Sequence, residues 1–193
     1  MPTKSSILAF AGSLRKDSLN KKLVRIAAAG AEKAGAGVTL IDLADFPMPI
    51  YDGDIEARSG LPEHAKRLKA LLKEHHGLLI SSPEYNSSVS AALKNAIDWT
   101  SRAEGKEPAV AAFAGKVAGL VSASPSGLGG LRGLVHLRAI LGNIQVLVLP
   151  DQVAINTAHE AFDASGNLID PKKQAAVEAV GAKLAQVLTK LTA

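Results

Sequence analysis

The side chains best suited to chemistry stand in a hydroxyl-rich segment near the start of the chain. Residues 12–20 read GSLRKDSLN and directly follow a short apolar run. Ser13, Ser18 and Asn20 offer side-chain donors at the start of a predicted helix, whose free backbone N–H groups favour an anion. Arg15 adds a planar charged donor that suits phosphate. The segment predicts a site for a terminal monophosphate, and a plain Ser/Asn helix cap beside solvated charges explains these residues equally well.

A second polar segment, residues 83–88 (PEYNSS), lies between another apolar run and a helical pattern. Its donors and acceptors could hydrogen-bond the edge of a flat heterocycle. Tyr85 could cover one face of that ring or project towards a partner. Proline, asparagine and serine are also ordinary turn residues. Taken by itself, the segment favours a simple turn.

A third segment, residues 122–130 (SASPSGLGG), is rich in small residues, which let a backbone approach a ligand closely. It does not complete the dinucleotide fingerprint G-x-G-x-x-G, because Arg132 stands where the third glycine would be. Neither the Walker pattern nor the G-x-S-x-G pattern of hydrolases occurs in the chain. This segment therefore predicts little by itself.

The elements that would position these segments alternate along the chain. Short apolar runs between turn residues are typical of strands in a parallel sheet that is covered on both faces. They are residues 7–11, 38–43, 77–82, 116–122 and 144–149. Apolar residues at helical spacing lie between and after them. The predicted helices are residues 19–34, 61–72, 91–102, 131–141 and 171–191.

This alternation predicts an α/β fold with one flavodoxin-like, doubly wound parallel sheet in a single domain of residues 1–193. Its five strands are expected in the order 2-1-3-4-5, with helices on both faces. In such sheets ligands bind at the carboxyl ends of the strands, beside the switch in strand order. The three polar segments follow strands 1, 3 and 4, so we expect them to meet there. Residues 44–60 are predicted to form a long loop, and loops of that length often have a function.

Composition excludes several other kinds of site. The chain has no cysteine, which rules out disulfides, thiolate nucleophiles and cysteine-ligated metals. The formal net charge is +4, and the basic residues are scattered, unlike the basic stripe of a nucleic-acid-binding protein. With no run of ~18 apolar residues and no signal-peptide core, we expect a soluble cytoplasmic protein without membrane contact. No spacing of histidines and carboxylates indicates a metal site, and Asp42 is interpreted as a turn residue.

Residues 12–20 together with residues 81–99 (SSPEYNSSVSAALKNAIDW) resemble the NAD(P)H-dependent FMN reductase family, in particular its branch of quinone and chromate reductases. The resemblance extends from strand 1 to about Asn143. It implies a bound FMN whose phosphate lies among Ser13, Leu14, Arg15, Ser18, Leu19 and Asn20. It also implies a flavin ring that lies against Pro83, Glu84, Tyr85, Asn86 and Ser124. Asp17 departs from the family, in which glycine is common here, and a carboxylate suits a phosphate site only if it points outward or pairs with Lys16.

The resemblance further implies that NADPH or NADH reduces FMN, which then reduces quinones, chromate, azo compounds, ferric complexes or free flavin. No catalytic side chain is expected, because both substrates would stack on one face of the flavin. Family members are homodimers, and some form tetramers. Arg102 could favour the phosphate of the nicotinamide nucleotide or an anionic acceptor, although a surface charge is the simpler interpretation. The alternative is a flavodoxin-type electron carrier, but such carriers are generally acidic, whereas the pI here is about 9.3.

Overall fold

A computed structural model describes residues 5–191, so the ends of the expected domain, residues 1–4 and 192–193, lie outside the described part. The helices and strands are, in order, β1 Ser6–Ala11, α1 Leu19–Lys33, β2 Gly37–Asp42, α2 Gly53–Ser59, α3 Glu63–Glu74, β3 Gly77–Ser81, β4 Glu84–Tyr85, β5 Ser88–Val89, α4 Ala91–Thr100, β6 Val117–Ala123, α5 Leu131–Asn143, β7 Leu147–Ile155 and α6 Pro171–Leu191. None of the helices between residues 5 and 191 has the length and apolar character needed to cross a membrane.

The long strands pair in parallel in the order β2-β1-β3-β6-β7. With the short β4–β5 pair set aside, this is the predicted order 2-1-3-4-5, and the predicted fold class is confirmed. Strand β3 is buried along its whole length and β1 along all but its first residue. This burial explains why the interiors of both strands are apolar, because strands covered on both faces have no polar side.

Helices cover both faces of the sheet. Helices α1 and α6 pack on one face around Leu23 and Leu184, whereas α3, α4 and α5 pack on the other around Leu93. Gly181 allows the close approach of α6 to α1, since a Cβ there would lie 1.8 Å from the carbonyl oxygen of Ala27. The small residues of α1 and α6 therefore set the distance between these two helices.

The last strand differs from its prediction. Expected over residues 144–149, it is Leu147–Ile155 and runs through Pro150. Its register against β6 shifts between Ala118 and Leu120, which marks a bulge. A proline has no N–H to pair, and it is tolerated here because β7 is an edge strand with a bulge.

The predicted loop 44–60 contains a helix. Asp52 caps α2 by accepting a hydrogen bond at 2.8 Å from a backbone N–H of its first turn. The segment is held against α4, because the carbonyl of Pro49 accepts a hydrogen bond from Trp99 Nε1 at 2.8 Å. The ring of Tyr51 meets Trp99 edge-on, with centroids 5.0 Å apart. This packing orders a segment whose composition predicted only a loop.

Candidate functional site

Three loops meet at the carboxyl edge of the sheet. Gly12 N donates to the carbonyl of Ser81 at 2.9 Å, which joins the ends of β1 and β3. Ser82 N donates to the carbonyl of Val121 at 2.9 Å and joins β3 to β6. Ser124 N makes a similar bond of 3.0 Å to the end of β7. The structure thus brings together the three polar segments that the sequence singled out.

Asn20 holds the ends of β3 and β6 to the first turn of α1, and it is only 3% exposed. Its Oδ1 accepts hydrogen bonds from Ser81 Oγ at 2.8 Å and from Ala123 N at 3.0 Å. Its Nδ2 donates to the carbonyl of Ala123 at 2.9 Å. One amide hydrogen is left without a partner in the described part of the chain. Asn20 therefore positions the loops, and any contact with a phosphate rests on that single hydrogen.

The first loop leaves the positive end of α1 available to an anion. Ser18 precedes the helix in an extended conformation, and its side chain makes no capping hydrogen bond. The first turn of α1 contains no acidic residue. Ser18 and Ser13 are both buried beside this turn. Free backbone N–H groups in a first turn without acidic side chains favour an anion at this place.

The charged residues of this loop face solvent. Arg15 is exposed, and its guanidinium has no hydrogen bond or ion pair with any residue that the structure describes. Leu14 is 55% exposed, and Leu19 is half-buried. Asp17 is exposed and forms no ion pair with Lys16. Asp17 therefore has the outward position that a carboxylate beside a phosphate site requires.

Residues 83–88 form a β-hairpin rather than the simple turn that this segment alone favoured. Strands β4 and β5 pair antiparallel, with Tyr85 opposite Ser88. The two connecting residues, Asn86 and Ser87, have φ angles of +48° and +64°. Positive φ at both positions is the requirement of the tight hairpin turn that matches the twist of the strands. The hairpin presents Tyr85 and Asn86 to solvent at its tip.

The Glu84 carboxylate binds α5, and its side chain is 4% exposed. Its Oε1 accepts hydrogen bonds from Arg132 Nε at 3.0 Å and Nη2 at 2.6 Å, and its Oε2 accepts one from Gly133 N at 3.0 Å. Both carboxylate oxygens are used, so only the backbone of Glu84 remains for a ligand. The sequence singled out Arg132 merely for interrupting a glycine pattern, and no spacing signal connects it with a residue 48 positions away.

The surroundings of Glu84 keep it ionised. Burial raises its pKa, but the N–H of Gly133 and the hydrogen bond and charge of Arg132 lower the pKa further, to a net value below the ordinary range. The negative charge also lies at the start of α5, where the helix dipole favours it. Glu84 is therefore a carboxylate, not a proton donor, at neutral pH.

The third loop is ordered by its small residues. Gly130 has φ of +95°, and a Cβ there would lie 1.9 Å from Ser122 Oγ. That hydroxyl donates to the carbonyl of Ser82 at 2.6 Å, which ties the third loop to the second. Ser124 is buried, and its Oγ accepts a hydrogen bond from Ser126 N at 3.2 Å. The conformation of the loop at position 130 therefore requires a glycine.

Ser90 is a residue of this edge that the sequence analysis did not select. Its Oγ donates to the carbonyl of Gly12 at 2.5 Å and accepts a hydrogen bond from Leu93 N at 3.2 Å. A serine before a helical pattern does predict a cap. Its contact with Gly12, 78 positions away, could not be predicted.

Other charged and titratable residues have structural partners. The Arg102 guanidinium stacks on the ring of Tyr51 at 5.5 Å, and its Nε is buried without a hydrogen-bond partner among residues 5–191. Asp42 pairs with Lys21 and caps the 3-10 turn that follows β2, as expected of a turn residue. His75 lies at the opposite, amino edge of the sheet. None of them adds to the site.

The assembled groups suit a planar ligand that carries a phosphate. On one side are a positive helix end, two buried hydroxyls and the unpaired guanidinium of Arg15. On the other is a hairpin tip with an exposed phenol ring and an exposed amide. A flavin mononucleotide has the matching parts, a dianionic phosphate and a flat, hydrogen-bonding ring.

Comparisons with known proteins identify the family of this chain. A family model described as NADPH-dependent FMN reductase matches residues 5–160. An NAD(P)H-dependent FMN reductase of Pseudomonas aeruginosa is 35% identical over 173 residues, which cover 89% of each chain. The quinone reductase of Escherichia coli K12 is 33% identical over 172 residues, or 89% of this chain and 85% of that one.

Among solved structures, FerB from Paracoccus denitrificans, a flavoenzyme NAD(P)H:(acceptor) oxidoreductase, has a TM-score of 0.80 at 28% identity. The match covers 96% of this chain and 98% of FerB. Because the family model spans most of the chain and two relatives above 30% identity align over nearly all of it, this chain belongs to the NADPH-dependent FMN reductase family.

Proposed function

We propose that this chain binds FMN, oxidises NADPH or NADH, and passes two electrons to quinones. The observation that carries the proposal is the meeting of two features at one edge of the sheet. An uncapped helix start beside the unpaired Arg15 faces the same edge as the exposed tip of the 83–88 hairpin. Membership of the family supports the nicotinamide and flavin chemistry, and the relatives named as quinone reductases support the acceptor.

In this proposal the first loop holds the phosphate of FMN. The donors are the hydroxyls of Ser13 and Ser18, the guanidinium of Arg15 and the free N–H groups of α1. Asn20 contributes its one remaining amide hydrogen. Leu14 and Leu19 supply the apolar flanks. A dianion bound at a helix start by hydroxyls and an arginine needs no metal ion.

The second and third loops hold the ring in this proposal. The contacting residues are Pro83, Glu84, Tyr85, Asn86 and Ser124. Glu84 takes part through its backbone only, because its carboxylate is bound to Arg132. The exposed turn at Asn86 offers backbone N–H and C=O groups at the tip of the hairpin. Such groups can hydrogen-bond the edge of a heterocycle without a charged side chain.

Bound FMN supplies the redox chemistry, and the protein supplies binding and orientation. The overall reaction balances as NAD(P)H plus a quinone plus a proton from solvent, giving NAD(P)⁺ and a hydroquinone. We assign no catalytic acid or base. The hairpin's carboxylate, Glu84, is ionised and fully hydrogen-bonded, so it cannot deliver that proton.

Three finer points belong to the same proposal. The further acceptors are chromate, azo compounds, ferric complexes and free flavin. The chain forms a homodimer, with tetramers as a second step, because Leu14, Tyr85 and Leu128 leave 55%, 49% and 48% of their surfaces exposed around the site. Apolar surface gathered at one place is typical of an interface. The proposed location is the cytoplasm.

The test is an anaerobic absorbance titration of the FMN-loaded protein with NADPH and, separately, with NADH, followed by benzoquinone. We expect either donor to bleach the flavin absorbance, and benzoquinone to restore it. The donor that bleaches at lower concentration is the preferred one. A bound flavin that neither donor reduces would instead support the electron carrier, and a protein that binds no flavin would refute the assignment of all three loops.

A further inference from the structure

The 83–88 hairpin is held by α5, whereas the residues that flank it, Ser82 and Ser90, are bound at the edge of the sheet. Strands β4 and β5 pair with each other and form no ladder with the five-stranded sheet. Three hydrogen bonds connect the Glu84 carboxylate to Arg132 and Gly133. One turn further along α5, His136 Nδ1 and Ser88 Oγ are 3.0 Å apart. The hairpin is thus attached along one face of the helix.

The attachment also completes the helix. The residue before α5 is Gly130, which has no side chain with which to cap the first turn. Gly133 N is one of the helix-start donors that have no partner within the helix. Glu84 satisfies this donor from another element, and Arg132 balances its charge. Because the same carboxylate caps α5 and holds the hairpin, the two cannot move independently.

We propose that Arg132 and Glu84 are positioning residues for the flavin: their ion pair fixes the hairpin on α5 and so determines where Tyr85 and Asn86 meet the ring. This inference rests on the proposed function, since it requires that FMN binds at this edge. We assign Arg132 no direct contact with the ring, because its Nε and Nη2 both donate hydrogen bonds to Glu84. Its effect on the ring passes through the backbone of Glu84 into the next two residues of the hairpin.

The surroundings of the pair define what should happen without Arg132. Arg132 on α5 is the charged group that pairs with Glu84, and His136, one turn further along α5, contacts Ser88 of the hairpin. With Arg132 removed, the buried carboxylate keeps a single backbone N–H donor, and burial then dominates. The hairpin is released from α5 to let the charge reach water, and its tip loses its fixed position.

The experiment compares Arg132→Met with two control variants. Arg15→Met removes the cation assigned to the phosphate, and Arg138→Met removes an α5 cation that binds the carbonyl of Leu149 at 2.8 Å, away from the hairpin. For each protein, FMN affinity is measured by fluorescence titration. The visible circular dichroism of the flavin is then recorded at saturating FMN, because this band reports the surroundings of the ring. Thermal unfolding gives the stability of each variant.

We expect Arg132→Met to weaken FMN binding by about tenfold, the cost of losing one charge-assisted contact that orders a binding loop. Its circular dichroism band should differ from the wild type even at saturation, and Arg132→Lys should restore part of both losses. Arg15→Met should weaken binding and keep the wild-type band once saturated. Arg138→Met should lower stability only, with binding and band unchanged.

Two results would overturn the inference, and they differ from each other. If Arg132→Met binds FMN with the wild-type affinity and band, the ion pair has only a structural role, although the proposed function stands. If the wild type does not bind FMN, the proposed function fails and the inference fails with it. Should Arg132→Met not fold, the same comparison is made with Arg132→Lys, whose single-point charge cannot reproduce the two-nitrogen contact.

Discussion

Replacing Asn20 by alanine separates two roles that this residue could have. As a ligand of the phosphate it would affect only FMN binding. As a link between α1, β3 and β6 it would affect the stability of the protein even without flavin. Its side chain is buried and makes three hydrogen bonds, to Ser81 and to both backbone groups of Ala123. We expect the second role to dominate.

The magnitude follows from those contacts. A buried hydrogen bond contributes about 1 kcal/mol, so the loss of all three destabilises the protein by about 3 kcal/mol. The loss of stability is larger if the backbone groups of Ala123 remain buried without partners. It is smaller if a water molecule takes the place of the Asn20 amide. A typical domain is stable by only about 5–15 kcal/mol, so the change is large.

Equilibrium urea unfolding of the flavin-free protein measures this directly, because added FMN would stabilise the folded state by mass action. Asn143→Ala is the matched control, since Asn143 is exposed at the end of α5 and its loss should change the free energy of unfolding by less than about 0.5 kcal/mol. An Asn20→Ala protein that loses under 1 kcal/mol of stability but binds FMN much more weakly would refute the reasoning and restore Asn20 as a phosphate ligand.

Three other predictions follow from single contacts. Arg15→Ala should weaken FMN binding by about 1.5–3 kcal/mol while leaving riboflavin binding unchanged in fluorescence titrations, because only FMN carries the phosphate; equal losses for both flavins would contradict the phosphate site. Gly130→Ala should cost about 2–4 kcal/mol in urea unfolding, owing to its positive φ and the contact with Ser122 Oγ, whereas Gly127→Ala, which has open space, should not. The pKa of Glu84 is lowered in the folded protein, so the wild type should be more stable than Glu84→Gln. This extra stability should be complete above the unfolded pKa of about 4.3 and be lost as the pH falls through the folded pKa. A stability difference in urea unfolding that does not change down to pH 3 would count against the ion pair.

Local sequence pattern was sufficient for the strand order and for the edge of the sheet at which the three polar segments meet. Each long strand is a short apolar run, and each polar segment stands at the end of one of them. In a parallel sheet these ends must lie on the same edge, so the positions of Gly12, Ser82 and Ser124 follow from the order of the elements alone. No contact between distant residues had to be known.

The predictions from local sequence pattern were wrong for two elements that depend on tertiary packing. Pro150 is a plausible strand end in sequence, yet β7 passes through it because the strand lies at the edge of the sheet and contains a bulge. The helix Gly53–Ser59 lies in a segment rich in turn residues, and the neighbouring Tyr51 and Pro49 are held by Trp99 of α4. Both outcomes depend on neighbours that are far away in the sequence.

The sequence by itself determined that this protein has an α/β fold with polar segments at the carboxyl edge of its sheet, because periodicity and turn residues act within a few positions of each other. Only the tertiary structure decided what each polar side chain does there. In the folded protein the amide of Asn20 links α1 to the ends of β3 and β6, and the carboxylate of Glu84 pairs with Arg132 on α5. A buried polar group must find a partner wherever the fold places one, and that partner is chosen by three-dimensional proximity, which residue spacing along the chain does not encode.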